Sequence, residues 1–366
     1  MEIKVQKSDL VRKIALGVNI AGGKPSTLPI LNNLLLETRK EGGVKVVATD
    51  MEVGISATIP AEIAQNGSIT VPARKFYDIV KELPEGEIDI SVTKNNTVNI
   101  KCGKSYFKIM GLDKEDFPKL PAFSLDQAIE IEQSVLKECL TLTSFAISHD
   151  ETRYVLNGVL VSFQEGGIRF VATDGRRLAF YKKEIKKKIN IKNDMIIPAK
   201  TIHELLKLLE WDGVIKITQS QNKIIFVLDD TYLSSSLIEG NFPNYEQVIP
   251  KEEKTTAVVN REELLQAVRR ASLLTSSESP ALKFDFIKGK ALVSAKSPNM
   301  GEAKEELPAE FKGQEITIGF NPNYLMDVLK NLTDENITIS LTEPDKPGLV
   351  KGREGYLYVI MPMQLN

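Results

Sequence analysis

Apolar residues along the 366-residue chain repeat with a helical rhythm in three places. Phe76, Ile79, Val80, Leu83 is one set; Ile202, Leu205, Leu206, Leu209 is the second; Leu325, Val328, Leu329, Leu332 is the third. All three read i, i+3, i+4, i+7, which places four side chains on one face of a helix to be buried against the rest of the protein. A further helix is predicted upstream of each, after a short strand. Ser8 is placed to cap a helix from Asp9 to Ile20, and Ser134 one from Val135 to Ile147. Asn260-Arg261-Glu262-Glu263 has the spacing of a capping box, with Glu263 at the third helical position. Strand-like runs between paired helices are broken at Gly42-Gly43, Gly166-Gly167 and Lys288-Gly289, and those after the second helices turn near Asn95-Asn96, Gln221-Asn222 and Pro344–Gly348. Helix, sheet, helix, sheet, three times, predicts an α+β fold with two helices and two small antiparallel sheets per domain.

The wording repeats along with the rhythm. Val47-Ala48-Thr49-Asp50 returns as Val171-Ala172-Thr173-Asp174, a shift of 174 − 50 = 124. Val71-Pro72-Ala73-Arg74 returns as Ile197-Pro198-Ala199-Lys200, and Asp116-Phe117-Pro118 as Asn241-Phe242-Pro243. A fainter third copy runs through Val293-Ser294-Ala295-Lys296, Gly319-Phe320-Asn321-Pro322 and Ile360-Met361-Pro362. A period this far above that of a solenoid gives units long enough to bury their own cores. The expectation is three related domains, 1–121, 122–250 and 251–366.

Composition narrows the chemistry. Two cysteines, Cys102 and Cys139, sit at unrelated positions of different copies, which argues against a disulfide framework or a zinc site and for a reducing cytoplasm. Two histidines, His149 and His203, leave little for acid–base or metal work. No run approaches the roughly 20 apolar residues of a membrane span, and Met1-Glu2-Ile3-Lys4-Val5 lacks the apolar core of a signal peptide. A net charge of −2 argues against nucleic-acid binding unless the charges are segregated. The first helices carry Lys7, Arg12, Lys13, Lys137, Arg261, Arg269 and Arg270; the second carry Arg74, Lys75, Lys81, Lys200, Lys207 and Lys330, with Asp78, Glu204 and Asp327 among them. Singly, each is a solvated amphipathic helix, whereas six together favour a positively biased helical surface. The run Lys182-Lys183-Glu184-Ile185-Lys186-Lys187-Lys188 follows one strand and precedes another, and reads as an exposed loop.

No catalytic motif is present: the chain has no Walker loop, Gly-x-Ser-x-Gly, His-Glu-x-x-His or paired-cysteine motif. The repeated Thr-Asp reads as turn chemistry, an aspartate after a strand bonding the backbone just beyond it. The third copy has Ala295-Lys296 there and keeps the surrounding pattern. After that aspartate the copies diverge, Met51-Glu52-Val53 in the first and Gly175-Arg176-Arg177-Leu178 in the second.

These words carry a family resemblance. Lys24-Pro25-Ser26-Thr27-Leu28-Pro29-Ile30-Leu31-Asn32-Asn33-Leu34-Leu35-Leu36, Val71 to Phe76, Arg153-Tyr154-Val155-Leu156-Asn157-Gly158-Val159, Ala172 to Ala179, Gly240-Asn241-Phe242-Pro243-Asn244-Tyr245 and Met361-Pro362-Met363 together resemble the bacterial DNA sliding-clamp family, the β subunit of replicative DNA polymerase III. The resemblance runs end to end. It implies three clamp domains, a non-catalytic processivity factor without cofactor or metal, and a head-to-tail homodimer ring around duplex DNA. It also implies partners: the polymerase III catalytic subunit, the clamp loader and other proteins bearing clamp-binding motifs, with no membrane contact. Carried over residue by residue, a partner-peptide pocket comprises Leu156, Thr173, Gly175, Arg176, Arg177, Leu178, Pro243, Gln247, Val248, Asn321, Tyr324, Val359, Met361, Pro362, Met363, Gln364 and Leu365. Gln364 stands where the family's terminal Met-Pro-Met-Arg-Leu has arginine, Gln247 occupies another position that can be arginine, and Arg176 replaces a frequent histidine. Flexible, polarizable methionines suit a site taking several ligands. DNA contacts carry over to Lys24, Arg74, Asp150, Tyr154 and Val155, where Lys24 and Arg74 suit phosphate, Tyr154 suits base stacking, and acidic Asp150 cannot bind phosphate directly. At ring closure, Phe107 and Ile109 are expected against Leu273 and Leu274, with Lys75 facing Glu302 and Glu305.

Helix dimensions agree with a dimer. Six helices about 10 Å wide, side by side, put their axes on a circle about 19 Å across and leave a hole of about 9 Å. Twelve helices give a circle of about 38 Å and a hole near 28 Å, which passes a duplex with a water layer. Two other readings stay open on residues alone: a DNA-processing enzyme using Asp50 and Asp174 with Mg²⁺, and an open three-domain scaffold that does not close.

Overall fold

The computed structural model describes residues 1–22, 28–164, 166–185, 194–275, 281–297 and 301–365. Among them the first helix of each copy is α1 (Lys7–Val18), α3 (Gln133–Ser144) and α5 (Arg261–Ala271), and the second is α2 (Ala73–Glu82), α4 (Ala199–Leu208) and α6 (Pro322–Asn331). The helical rhythm marks buried faces: Phe76, Val80, Ile202, Leu205, Val328 and Leu329 are all buried.

Two of the three expected caps are corrected. The helices α1 and α3 begin at Lys7 and Gln133, so Ser8 and Ser134 lie inside the first turn. Among the described residues no side chain caps α1. Instead, the opening N–H of each first helix donates to a carbonyl brought in by the fold: Lys7 N to Gly86 O at 3.0 Å, Gln133 N to Gly213 O at 3.0 Å, and Arg261 N to Glu335 O at 2.9 Å. That bond supplies part of what a cap supplies, and it frees the cap position from sequence choice. Asn260 is the exception, its side chain accepting from Glu263 N at 3.0 Å as expected.

The described strands form four sheets. Two sheets in each of three copies would make six, and two fusions across copy boundaries reduce them to four. The chain clusters into two compact units for the same reason. The first unit comprises Met1–Gln133, His203–Leu208 and Asp212–Leu237. It holds a five-stranded sheet ending at the edge strand Ser105–Met110, and an eight-stranded sheet in which Thr231–Ser236 of the second copy pairs antiparallel with Val53–Ile59 of the first. There Leu233 stands opposite Ile55, and Lys13 on α1 donates to Asp230 at 2.5 Å. The helices α1 and α2 pack side by side.

The second unit comprises Ser134–Ile202, Leu209–Trp211 and Ile238–Asn366. Its nine-stranded sheet fuses Arg177–Glu184 of the second copy with Tyr356–Ile360 of the third, Ala179 opposite Tyr358. Its four-stranded sheet ends at the edge strand Gly301–Pro308. Helices α5 and α6 pack together.

The expected basic helical surface is thinner than the sequence suggests. Lys7 bonds Leu83 O, Lys13 bonds Asp230, Lys137 bonds Leu209 O, Arg261 bonds Leu329 O and Asp334 O, and Arg270 pairs with Glu305. Arg12, Arg74, Lys75, Lys81, Arg269 and Lys330 remain exposed. Cys102 and Cys139 are buried free thiols, and burial pushes Cys139 well above its usual range.

Candidate functional site

The second unit brings most of the expected pocket residues onto one framework. Thr173, Asp174 and Gly175 form the turn between Gly167–Thr173 and Arg177–Glu184. Asp174 Oδ1 accepts from Arg176 N at 2.9 Å and Arg177 N at 3.0 Å, and Thr173 Oγ1 donates to Arg177 O at 2.6 Å. Asp50 does the same in the first copy, accepting from Glu52 N and Val53 N. Both aspartates are turn-formers, as the turn reading anticipates. Gly175 has φ +85°, and a Cβ there would come within 2.7 Å of Arg153 Nη1. Met51, its counterpart, takes φ +78° with a side chain that is exposed.

Arg177 organises the centre. Its side chain, only 10% exposed, donates from Nε to Asp174 at 3.0 Å, from Nη1 to Asp327 at 2.6 Å and from Nη2 to Phe145 O at 2.8 Å. The guanidinium lies 4.6 Å from the Tyr324 ring centroid and 5.7 Å from that of Phe145. Burial alone would depress its pKa; the hydrogen bond to Asp327 and the nearby negative charge outweigh burial and raise it. Tyr324 is fixed from behind by Tyr358, whose hydroxyl donates to Tyr324 O at 2.9 Å. Asn321 caps α6 by accepting from Asn323 N at 2.9 Å, so that side chain is turned to the helix end.

Leu156, Leu178 and Val359 are buried, and Leu178 and Val359 are register partners in one apolar cluster with Leu160, Val171, Ile196 and Leu349. Phe242, Tyr245 and Ile249 of the following linker pack on this cluster, while Pro243, Gln247 and Val248 beside them are exposed. The C-terminal segment runs along the rim. Met361 N donates to Arg176 O at 2.9 Å and Met363 N to Gly319 O at 2.8 Å. Gly319 permits that approach, since a Cβ there would meet Met363 O at 2.4 Å. Met361 and Leu365 are exposed, Pro362 and Met363 half-buried, and Gln364 exposed. The second unit thus carries, on one framework, a buried aliphatic floor, an arginine locked by two carboxylates and a rim of exposed Val248, Met361 and Leu365.

The first copy does not offer the same surface. Leu120 lies over Gly54, so close that a Cβ on that glycine would stand 2.3 Å from Leu120 Cδ2, and it packs with Phe117 on Ile30 and Val47. In the second copy Leu178 takes the position of Gly54 and Tyr245 that of Leu120, at shifts of 124 and 125.

The other expected residues are dispersed. Lys24 and the lysines 186–188 lie outside the described residues. Arg74 is 77% exposed near the start of α2 and ion-paired to Asp78. Asp150 caps the short turn Glu151–Leu156, accepting from Thr152 N and Oγ1; the Thr152 hydroxyl, ahead of the backbone bond, holds its pKa down. Tyr154 is exposed, and Val155 packs on the apolar cluster under the pocket. Phe107 and Leu273 are exposed, Ile109 and Leu274 half-buried, and Lys75 exposed. Glu305, one of the expected partners of Lys75, is already held bidentately by Arg270. Sequence reasoning left Asp327, Phe145 and Tyr358 out of the pocket; the only hint was the three-residue spacing of Asp174 and Arg177. Among the described residues no helix is long and apolar enough to cross a membrane.

Comparison with known proteins matches three family models along the chain: DNA polymerase III beta subunit N-terminal domain at residues 1–121, central domain at 130–244 and C-terminal domain at 246–364. The beta sliding clamp of Chlamydia pneumoniae is 33% identical over 339 residues, covering 93% of this chain and 92% of that protein. That of Pseudomonas aeruginosa is 33% identical over 370 residues, covering all of both chains. The crystal structure of the Bacillus subtilis DNA polymerase sliding clamp superposes with a TM-score of 0.96 at 30% identity over both full chains. A Bartonella birtlesii sliding clamp bound to griselimycin gives 0.93 at 34%, again over both full chains.

Proposed function

The chain belongs to the DNA polymerase III beta subunit family, the non-catalytic sliding clamps of replication, and from that premise we propose that two copies close head to tail around duplex DNA, in the cytoplasm, and hold partner proteins by the pocket around Arg177. The observation that carries the closure is a pair of unpaired edges. At both copy boundaries within the chain, the last strand of one copy pairs antiparallel with the third strand of the neighbouring sheet. Two strands of the same types, Ser105–Met110 and Gly301–Pro308, have no such partner among the described residues and end their sheets. A second copy supplies each with what the other lacks, by a head-to-tail contact that closes by rotation.

Side chains agree with the strands. Through the repeat, Phe107 corresponds to Leu233 and Tyr358, which are fully buried at their junctions, whereas Phe107 is 40% exposed. Leu273 corresponds to Phe145, counted from the start of α5 and of α3, and Phe145 lies 5.7 Å from the Tyr358 ring. Replacing that pair by Leu273 and Phe107 from different copies supports the expected closing contact. Leu274 takes the place of Ala146 and Ile20, both fully buried. Lys75 keeps Glu302 as its acidic neighbour in this reading, with Glu305 engaged by Arg270.

For DNA, Arg74 and Tyr154 are the exposed non-acidic candidates among the described residues, one for phosphate and one for stacking. Asp150 and Val155 support the Tyr154 turn and its packing. The peptide site rests on the floor of Leu178 and Val359, with Arg177 oriented by Asp174 and Asp327. The test is solution mass by light scattering across a dilution series, then retention on circular against linear DNA. A mass of two chains with retention on circles alone is expected. A persistent monomer would overturn closure and bring forward the open scaffold.

A further inference from the structure

A cavity of about 400 Å³ lies in the second unit, apart from the Arg177 pocket. Glu138 and Leu142 of α3 line it, Trp211 stands at it, and Lys183 and Arg353 reach it from the third-copy boundary. The volume falls within the range of small-ligand sites.

Three observations bear on what fits. Trp211, the chain's single tryptophan, is 68% exposed. Lys137 Nζ stands 4.8 Å from the indole centroid and donates to Leu209 O at 2.9 Å, which holds both in place. Lys183 and Arg353 converge on Glu138, the lysine at 2.9 Å. Arg353 also bonds Thr333 and lies 3.5 Å from Asp334. Of the residues that line the cavity, Lys183 and Arg353 against Glu138 leave one net positive charge (2 − 1). Lys183 has three N–H donors and gives them to Glu138 and, at 3.4 Å, the Tyr181 hydroxyl, so it retains capacity for an anion.

An exposed indole beside a cavity with one surplus positive charge matches a flat ring carrying one negative group. We propose that this cavity receives one unpaired nucleotide of single-stranded DNA, its base on Trp211 and its phosphodiester at Lys183 and Arg353. A phosphodiester brings one negative charge, which the site balances; a nucleoside triphosphate brings several, which it does not. The inference rests on the clamp reading only in taking DNA as the partner, because every lining residue belongs to one protomer.

Titration of the full-length protein with the oligonucleotide dT10, read by tryptophan emission, tests it directly since Trp211 is the sole source. Saturable quenching is expected. With fluorescein-labelled dT10 followed by anisotropy, Trp211→Ala should weaken binding about tenfold and Trp211→Phe should restore it. Lys183→Gln should reduce the slope of log affinity against log salt by about 0.7, the contribution of one single-strand phosphate contact. Unchanged emission at saturation, or equal affinity of Trp211→Ala, would overturn the site. Equal quenching by dTTP at matched nucleotide concentration would overturn the assignment to a strand, and equal quenching by duplex of the same length the assignment to an unpaired base. Quenching should persist in Leu273→Ala with Leu274→Ala, so a failed ring and a failed nucleotide site are told apart.

Discussion

Leu273→Ala is the sharpest perturbation of ring closure, because the side chain is 76% exposed in the single chain and has little to do there. Fully burying a leucine is worth about 1.5–3 kcal/mol. Covering the exposed three quarters therefore stabilises each closing contact by about 1–2 kcal/mol. Dissociation of the dimer breaks both contacts at once, so the substitution acts twice, for about 2–4 kcal/mol in total. At 1.36 kcal/mol per tenfold, the dimer Kd should rise by about 30- to 1,000-fold. Sedimentation or light scattering over a dilution series reads this directly. Urea unfolding of the variant at concentrations where both proteins are monomeric should be unchanged, since exposed truncations usually fall within about 0.5 kcal/mol. A Kd within threefold of the parent would refute the placement of Leu273 in the contact. A matching loss of monomer stability would refute the premise that its exposed surface is free in the single chain.

The remaining expectations concern the second unit. Arg177→Met removes a guanidinium engaged by Asp174, Asp327 and Phe145 O and leaves two carboxylates without it; urea unfolding should show a loss of about 3 kcal/mol, and an effect under 1 kcal/mol would contradict the network. Removing Met361–Asn366 should abolish binding of a polymerase-derived peptide while the solution mass remains that of two chains, and retained peptide affinity would overturn the pocket assignment. Burial would raise the Glu138 pKa, but the bonds and charges of Lys183 and Arg353 hold it below its ordinary value of 4.5. Its folded-state pKa is thus depressed, so the stability it contributes is complete above about pH 4.5 and declines as pH falls through the folded value. The stability difference between the parent and Glu138→Gln, measured by urea unfolding at stepped pH, should accordingly be constant near neutrality and shrink below pH 4.5; a difference that grows on acidification would reverse the assignment.

Much of the architecture is legible in the chain because burial imposes a period. Phe76, Leu205 and Val328 could be placed on buried helix faces from spacing alone. The repeated Thr-Asp could be read as a turn because its hydrogen bonds are local, two and three residues away. What escaped the sequence is set by distant partners. The carbonyls of Gly86 and Gly213 complete helices whose serines then have no capping task. Asp327, 150 residues from Arg177, fixes the guanidinium with no motif to announce it. Fusion of sheets across copy boundaries was equally hidden, since strand periodicity reports which face is buried and says nothing of which neighbour pairs with an edge.

The exchange of Gly54 and Leu120 for Leu178 and Tyr245 has a consequence for how many partners can ride at once. Where Leu120 sits on Gly54, the chain has occupied the place itself, as a permanent tenant. At the next boundary Leu178 and Tyr245 stand instead, beside the exposed Val248, Met361 and Leu365. A ring of six repeats would then offer at most four such places (6 − 2), and the replication proteins on one ring would have to share them. Exchange between them becomes a matter of vacancy and dwell time, so the partner that leaves most readily governs the traffic as much as the one that binds most tightly.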